Sequence, residues 1–201
     1  MCIFETIVIS GQRFFEAVNL ELIEVYNKRI DSGELVPDTD QLKTLQALQD
    51  LTTILNVYQP KNSWSFFNIF HKKKSKPKGI YIYGGVGRGK SMLMDLFFES
   101  SKIEKKQRVH FHEFMQKIHE ELHEARKKNV TEAIRPVAEK IISQVNLLCF
   151  DEMQITDITD AMIVGRLFEF FLDAGIIIVS TSNRHPDELY KNGLNLSLIH
   201  I

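Results

Sequence analysis

The 201 residues are 44% hydrophobic, 10% aromatic and 25% charged, close to the average packed domain. This excludes a disulfide-stapled mini-protein, a disordered or collagen-like chain and a polytopic membrane protein. Lys+Arg 25 against Asp+Glu 26 leave a formal net charge of -1, so no global field draws the molecule onto nucleic acid or an anionic membrane, and no nucleic-acid partner is expected.

In chain order, the opening MCIFETIVIS has no basic flank and is interrupted by Glu5; it reads as neither a secretory signal nor a transit peptide. Only Cys2 and Cys149 occur, which fits a reducing, cytosolic compartment. Residues 14–58 are helical in pattern, with Leu42, Leu45, Leu48, Leu51, Ile54 and Leu55 recurring at three- and four-residue steps. Gly33 and Pro37 divide this region into two helices, and residues 1–58 together form an N-terminal helical segment. Residues 59–78, QPKNSWSFFNIFHKKKSKPK, change in composition and read as a connector. Its Lys72, Lys73, Lys74, Lys76 and Lys78 beside Trp64, Phe66, Phe67 and Phe70 suit either a solvated linker, the plainer reading, or peripheral contact with phosphates or anionic lipid.

From residue 79 to the end the grammar is strand then helix, repeated. Strands are expected over Gly79–Tyr83, Arg108–Phe111, Val145–Phe150 and Ile176–Ser180, with helices over Ser91–Phe98, Glu113–Lys128 and Asp160–Leu172. Near-continuous apolar strands alternating with helices predict an α/β three-layer sandwich with a mostly parallel sheet.

Gly84–Ser91, GGVGRGKS, satisfies GxxxxGK(S/T), with the strand GIYIY before it and the helix SMLMDLFF after it. Glycines there let backbone N–H groups turn inward around phosphate oxygens, and the helix N-terminus adds its partial positive charge. The candidate nucleotide-binding residues are Gly84, Gly85, Val86, Gly87, Arg88, Gly89, Lys90, Ser91 and Met92. Lys90 is placed to reach the β/γ-phosphates and Ser91 to ligate Mg²⁺. LLCFDE, Leu147–Glu152, ends a buried strand in two carboxylates at the carboxyl edge of the sheet, where ligands bind in this fold class. Asp151 is therefore the candidate Mg²⁺ ligand and Glu152 the residue that orients and deprotonates an attacking water. IIIVSTSNR ends in Asn183, a candidate contact to the γ-phosphate or the water, and Arg184; Arg184 or Arg166 could face a neighbouring subunit, although a solvated arginine is the plainer reading of each. The expected cofactors are ATP and Mg²⁺.

Together, GIYIYGGVGRGKSMLMDLFF, RVHFHEFM, LLCFDEMQITDITDAMIVGRLFE and VSTSNRHPDELYKNGL resemble the ZapE family of AAA+-type P-loop ATPases, called AFG-one-like in mitochondria. The resemblance extends back to Tyr26 in YNKRIDSGELVPDTDQLKTLQAL. It implies an ATPase, cytoplasmic in bacteria or mitochondrial in eukaryotes, that remodels a protein partner in cell division or membrane protein quality control. It also implies a homo-oligomer. The family's phosphate loop falls on Gly84–Ser91, its acids on Asp151 and Glu152, and its sensor asparagine on Asn183. Two departures stand out: Met153 replaces the usual Phe, and Leu196 stands where the family carries an arginine, before the ending LSLIHI. The expectation is a core lacking its last strand and C-terminal lid, with Gly79–Tyr83 left as an open edge and turnover impaired.

Two alternatives come from other classes. One is a nucleotide-switched binding module that docks on its partner without turnover; the other, ranked lower for want of an Arg-rich lid, is a small-molecule phosphotransferase. His110 and His112, two apart on an expected strand, and His119 and His123, four apart on a helix, have metal-compatible spacing but no further ligand, so structural or surface histidines are the better reading.

Overall fold

The computed structural model describes residues 21–57, 79–127 and 132–189. Two N-terminal helices, α1 (Glu21–Asp31) and α2 (Thr39–Val57), precede β1 (Ile80–Tyr83), α3 (Lys90–Ser100), β2 (Lys106–His110), α4 (Phe111–Lys127), α5 (Ile134–Gln144), β3 (Leu147–Asp151), α6 (Ile158–Ala174) and β4 (Ile177–Ser182). The strands form one sheet in the order β1-β4-β3-β2, every pair parallel. β3 and β4 are buried at every position, which is why LLCFD and IIVSTS read as apolar runs and not as alternations.

Helices cover both faces. On one side Phe111, Phe114, Phe150, Phe168 and Phe171 anchor a core made by α4, α5, α6 and the sheet. On the other, Leu45, Leu48 and Leu51 of α2 and Leu22 and Tyr26 of α1 join Leu93, Met94 and Phe97 of α3 over Leu147, Cys149, Ile177 and Val179. The N-terminal helices thus share a core with α3 and the sheet. Cys149 is a free, buried thiol whose ionisation burial pushes up to about 12.

Several expected boundaries shift. The strand expected at Arg108–Phe111 runs from Lys106 to His110, because pairing with β3 begins at Lys106↔Leu147 despite the polar sequence. His112 consequently lies on α4, not on a strand beside His110. The helix α5 has no counterpart in the sequence reading; Pro136 lies in its first turn, where a missing N–H removes no intrahelical bond. In α2, Leu42 and Ile54 are substantially exposed, so the buried stripe is narrower than the six-residue pattern. Residues 14–20, the connector 59–78 with its lysines and aromatics, and the ending 190–201 lie outside the described residues. No described helix is long and apolar enough to cross a membrane.

Candidate functional site

At the carboxyl ends of β1, β3 and β4 the apolar strands run out into polar groups. β1 leads into Gly84, whose N–H donates to the Ser182 carbonyl of β4 at 3.3 Å. Gly87 (φ 76°) and Gly89 (φ 81°) take left-handed backbone that other residues adopt only at a cost. Gly89 is the N-cap of α3, no side chain caps this end and no acid lies in its first turn. Its leading N–H groups and the positive end of the helix dipole are therefore left without a side-chain cap, an arrangement that suits an anion.

Lys90 is buried, and its Nζ donates to the carbonyls of Gly84 (2.9 Å) and Gly85 (2.7 Å) and to Oδ1 of Asn183 (2.8 Å). Burial lowers its affinity for the proton, and the nearby carboxylates of Asp151 and Glu152 only partly oppose this. The charge is thus held at a cost that a phosphate dianion would offset.

Asp151 ends β3, buried, and its two oxygens do different things. Oδ1 accepts from Ser91 Oγ (2.8 Å) and Thr181 Oγ1 (2.6 Å), whereas Oδ2 accepts from Nη2 of Arg108 (2.8 Å). Burial would raise its carboxyl, but the hydrogen bonds from Thr181 and Ser91 and the charges of Arg108 and His110 outweigh that and hold it below its ordinary value. The Ser91 hydroxyl and the Asp151 carboxylate form an oxygen-only donor pair of the kind hard divalent cations select.

Glu152 is the non-glycine residue with positive φ among those described, at 54°. Its N–H donates to Thr181 Oγ1 (3.0 Å) and the next N–H, Met153, to the Thr181 carbonyl (2.7 Å). These bonds hold the strained turn, of order 1–3 kcal/mol, that leaves the Glu152 side chain exposed. Two cavities of about 350 Å³ each meet there. The first is lined by residues 86–92, Glu152 and Thr181–Asn183. The second shares Glu152, Ser182 and Asn183 and extends to His110, His112 and Arg184.

The expected residues Lys90, Ser91, Asp151, Glu152 and Asn183 are therefore brought together. Arg166 is not among them: it lies exposed on α6, against Glu169 (3.3 Å) and near the Phe170 ring. Among the described residues no group of three His, Cys, Asp or Glu is placed to hold a metal ion, and His119 instead pairs with Asp160 at 2.7 Å.

Sequence reasoning missed three contributors. Arg108 bridges Asp151 and Asp95. Gln41 of α2 donates to the Arg88 carbonyl at 3.0 Å, and its own Oε1 accepts from the buried Tyr26 hydroxyl at 2.9 Å. Asp38 lies 3.4 Å from the Arg88 guanidinium. The signal available for Arg108 was an arginine inside a strand; Gln41 and Asp38 had none.

A family profile described as AFG1-like ATPase matches residues 21–199. Over 86% of this chain, an uncharacterized protein of Schizosaccharomyces pombe is 37% identical and lactation elevated protein 1 homolog B of Danio rerio is 36% identical. Cell division protein ZapE of Escherichia coli K12 is 48% identical over 122 residues, 61% of this chain and 32% of its own length. The chain spans about half the length of the curated relatives it matches, 45% and 44% for the first two. AMPPCP-bound DnaA from Aquifex aeolicus superposes with a TM-score of 0.52 at 17% identity, covering 82% of this chain and 44% of that one. Domain III of DnaA from Thermotoga maritima gives 0.51 at 17% identity, with 82% and 60% covered. These structures show the fold alone: a parallel α/β sandwich like that of the DnaA domains.

Proposed function

This chain belongs to the AFG1-like ATPase family, and on that premise we propose that it binds Mg²⁺ATP over Gly84–Met92 and hydrolyses it to ADP and phosphate. The observation that carries the reading is the convergence on one crevice of an uncapped helix N-terminus, the caged Lys90 ammonium and the Ser91–Asp151 oxygen pair, with Glu152 projecting beside them. Gly84–Gly89 would wrap the phosphates with backbone N–H groups. Lys90 would exchange its carbonyl partners for β/γ-phosphate oxygens, which offset its desolvation. That exchange also frees Asn183 to contact the γ-phosphate or the attacking water. Glu152, exposed at the mouth of the crevice, would take the proton of that water as its oxygen attacks the γ-phosphorus. Ser91 and Asp151 would hold Mg²⁺; when bound, the ion neutralises charge on the phosphate oxygens.

The finer reading is that the hydrolysis cycle remodels a protein partner, in a homo-oligomer of the whole protein. Two observations support it: the name of the E. coli relative, a cell division protein, and the contact from the phosphate loop through Gln41 to the N-terminal helices. That contact equally serves a module switched by nucleotide occupancy alone.

The test is titration of the chain with a fluorescent ATP analogue in Mg²⁺, followed by phosphate release. Lys90→Ala should lose saturable binding, whereas Glu152→Gln should bind normally and lose about 10²–10⁴-fold in turnover. Normal turnover by Glu152→Gln would refute its role as base. Binding that survives Lys90→Ala would refute the site.

A further inference from the structure

Arg108 is the charged group nearest the proposed cation ligands that the hydrolytic scheme leaves without a task. It projects from β2 toward α3, where its Nε lies 2.7 Å from Asp95 Oδ1 while Nη2 lies 2.8 Å from Asp151 Oδ2. Asp95 is one helical turn beyond Ser91, so both share the face of α3 that looks onto β3. One guanidinium thus ties together three elements: β2 that carries it, β3 through Asp151, and the helix that supplies Ser91. Asp151 is almost fully buried, and its Oδ1 is already engaged by Ser91 and Thr181.

We infer that Arg108 is a positioning residue for the divalent cation: by pinning Oδ2 of Asp151 it keeps Oδ1 turned toward Ser91, where the ion is to be held. The inference rests on the Mg²⁺ATP reading above and assigns a residue outside its loop and acids. A planar guanidinium suits this task, because Nη2 donates to Oδ2 of Asp151 while Nε, which makes no hydrogen bond, stays within ion-pair distance of Asp95, a fixed spacing that a lysine point charge cannot reproduce.

Positioning and simple charge balance make opposite predictions. If Arg108 were only a counter-charge, removing it would leave Asp151 more attractive to a cation, and lysine would replace it fully. If it positions, removing it weakens the cation's effect and lysine rescues little. The experiment titrates the full chain with a fluorescent ATP analogue at increasing Mg²⁺ and in EDTA, comparing wild type with Arg108→Met, Arg108→Lys and Asp95→Asn.

In the wild type Mg²⁺ should tighten binding. In Arg108→Met and Arg108→Lys the Mg²⁺ concentration for half-maximal tightening should rise about 10–100-fold, the range for partners of metal ligands, while affinity in EDTA changes little. Asp95→Asn, at a half-exposed position, should shift it the same way by less, and with Arg108→Lys it carries the test if Arg108→Met fails to fold. An unchanged or strengthened Mg²⁺ response in these variants would overturn the role of Arg108 and leave the nucleotide reading standing. So would a wild-type response in Arg108→Lys. A wild-type chain that binds no analogue, or binds it equally in Mg²⁺ and EDTA, would overturn the cation reading itself and this inference with it.

Discussion

Helices α3 and α6 lie on opposite faces of the same sheet, and their N-termini are built in opposite ways. α6 begins at Asp157, whose carboxylate accepts from the N–H groups of Thr159 (2.6 Å) and Asp160 (3.4 Å), and it ends at Gly175 in left-handed backbone, with its last carbonyls bonded to Gly175 and Ile176. α3 begins at Gly89 with no side-chain cap at all. The donors that α6 satisfies internally are the ones α3 leaves for a ligand. The sheet beneath carries the same contrast in consecutive residues: Phe150 points into the aromatic core under α6, whereas Cys149 and Asp151 face α3. Both faces carry a buried core, but the self-capped helix lies on one and the candidate site opens at the edge of the other.

Substitutions at three positions break or sharpen this contrast. The largest effect is expected from Phe150→Ala, which removes a fully buried ring packed on Phe114 (4.8 Å between centroids), Phe111 (5.7 Å) and Phe168 (5.8 Å). Denaturant unfolding should report a loss of about 3–5 kcal/mol, while the folded fraction keeps near wild-type nucleotide affinity. A matching loss of affinity would mean that the two faces are not separable.

Gly89→Ala should come next. Its Cβ must enter left-handed backbone, at about 1–2 kcal/mol, and would lie 2.9 Å from the Gln41 amide nitrogen. Displacing Gln41 also breaks its bond to the Arg88 carbonyl, so here stability and ATP-analogue affinity should fall together. The smallest effect belongs to Asp157→Ala, a drop of a few degrees in Tm with nucleotide binding untouched. Its pH dependence has a definite sign. Hydrogen bonds from Thr159 hold the Asp157 carboxyl below its ordinary value. The cap is therefore fully present above the unfolded pKa of about 3.9 and is lost as pH falls through the lower folded value. Asp157→Asn, which caps without ionising, should flatten that acid loss in thermal melts; an identical acid profile would show that the cap is not what titrates.

Much of the candidate site was readable because its pieces are local words. GxxxxGKS sits between a strand and a helix, and LLCFDE stops where a buried strand meets solvent, so spelling and position alone mark Lys90, Ser91, Asp151 and Glu152 as candidates. Arg108 could not. In KQRVH it looks like the solvent side of an edge strand, and only pairing beside β3 turns it onto Asp151. Gln41 lies 47 residues from the carbonyl it holds, and no local pattern announces such a bond. α5 was legible but passed over: Ile134, Val137, Ala138, Ile141 and Ile142 recur at helical spacing and pack on the core, and Pro136 interrupts nothing because it lies in the first turn.

The sequence alone determined the alternation of strands and helices, the apolar runs that demand cover on both faces, and the two short motifs at strand ends. These follow from hydrophobic pattern and backbone freedom, which act over a few residues. Only the tertiary structure decided the sheet order β1-β4-β3-β2, which brings Asn183, just past β4, onto Lys90 at the start of α3. It also decided the left-handed backbone at Glu152, held by Thr181 from the neighbouring strand, and the clamp of Arg108 across Asp95 and Asp151. Each depends on which strands lie side by side, and that is settled by burying the whole core at once and not by any stretch of chain read by itself.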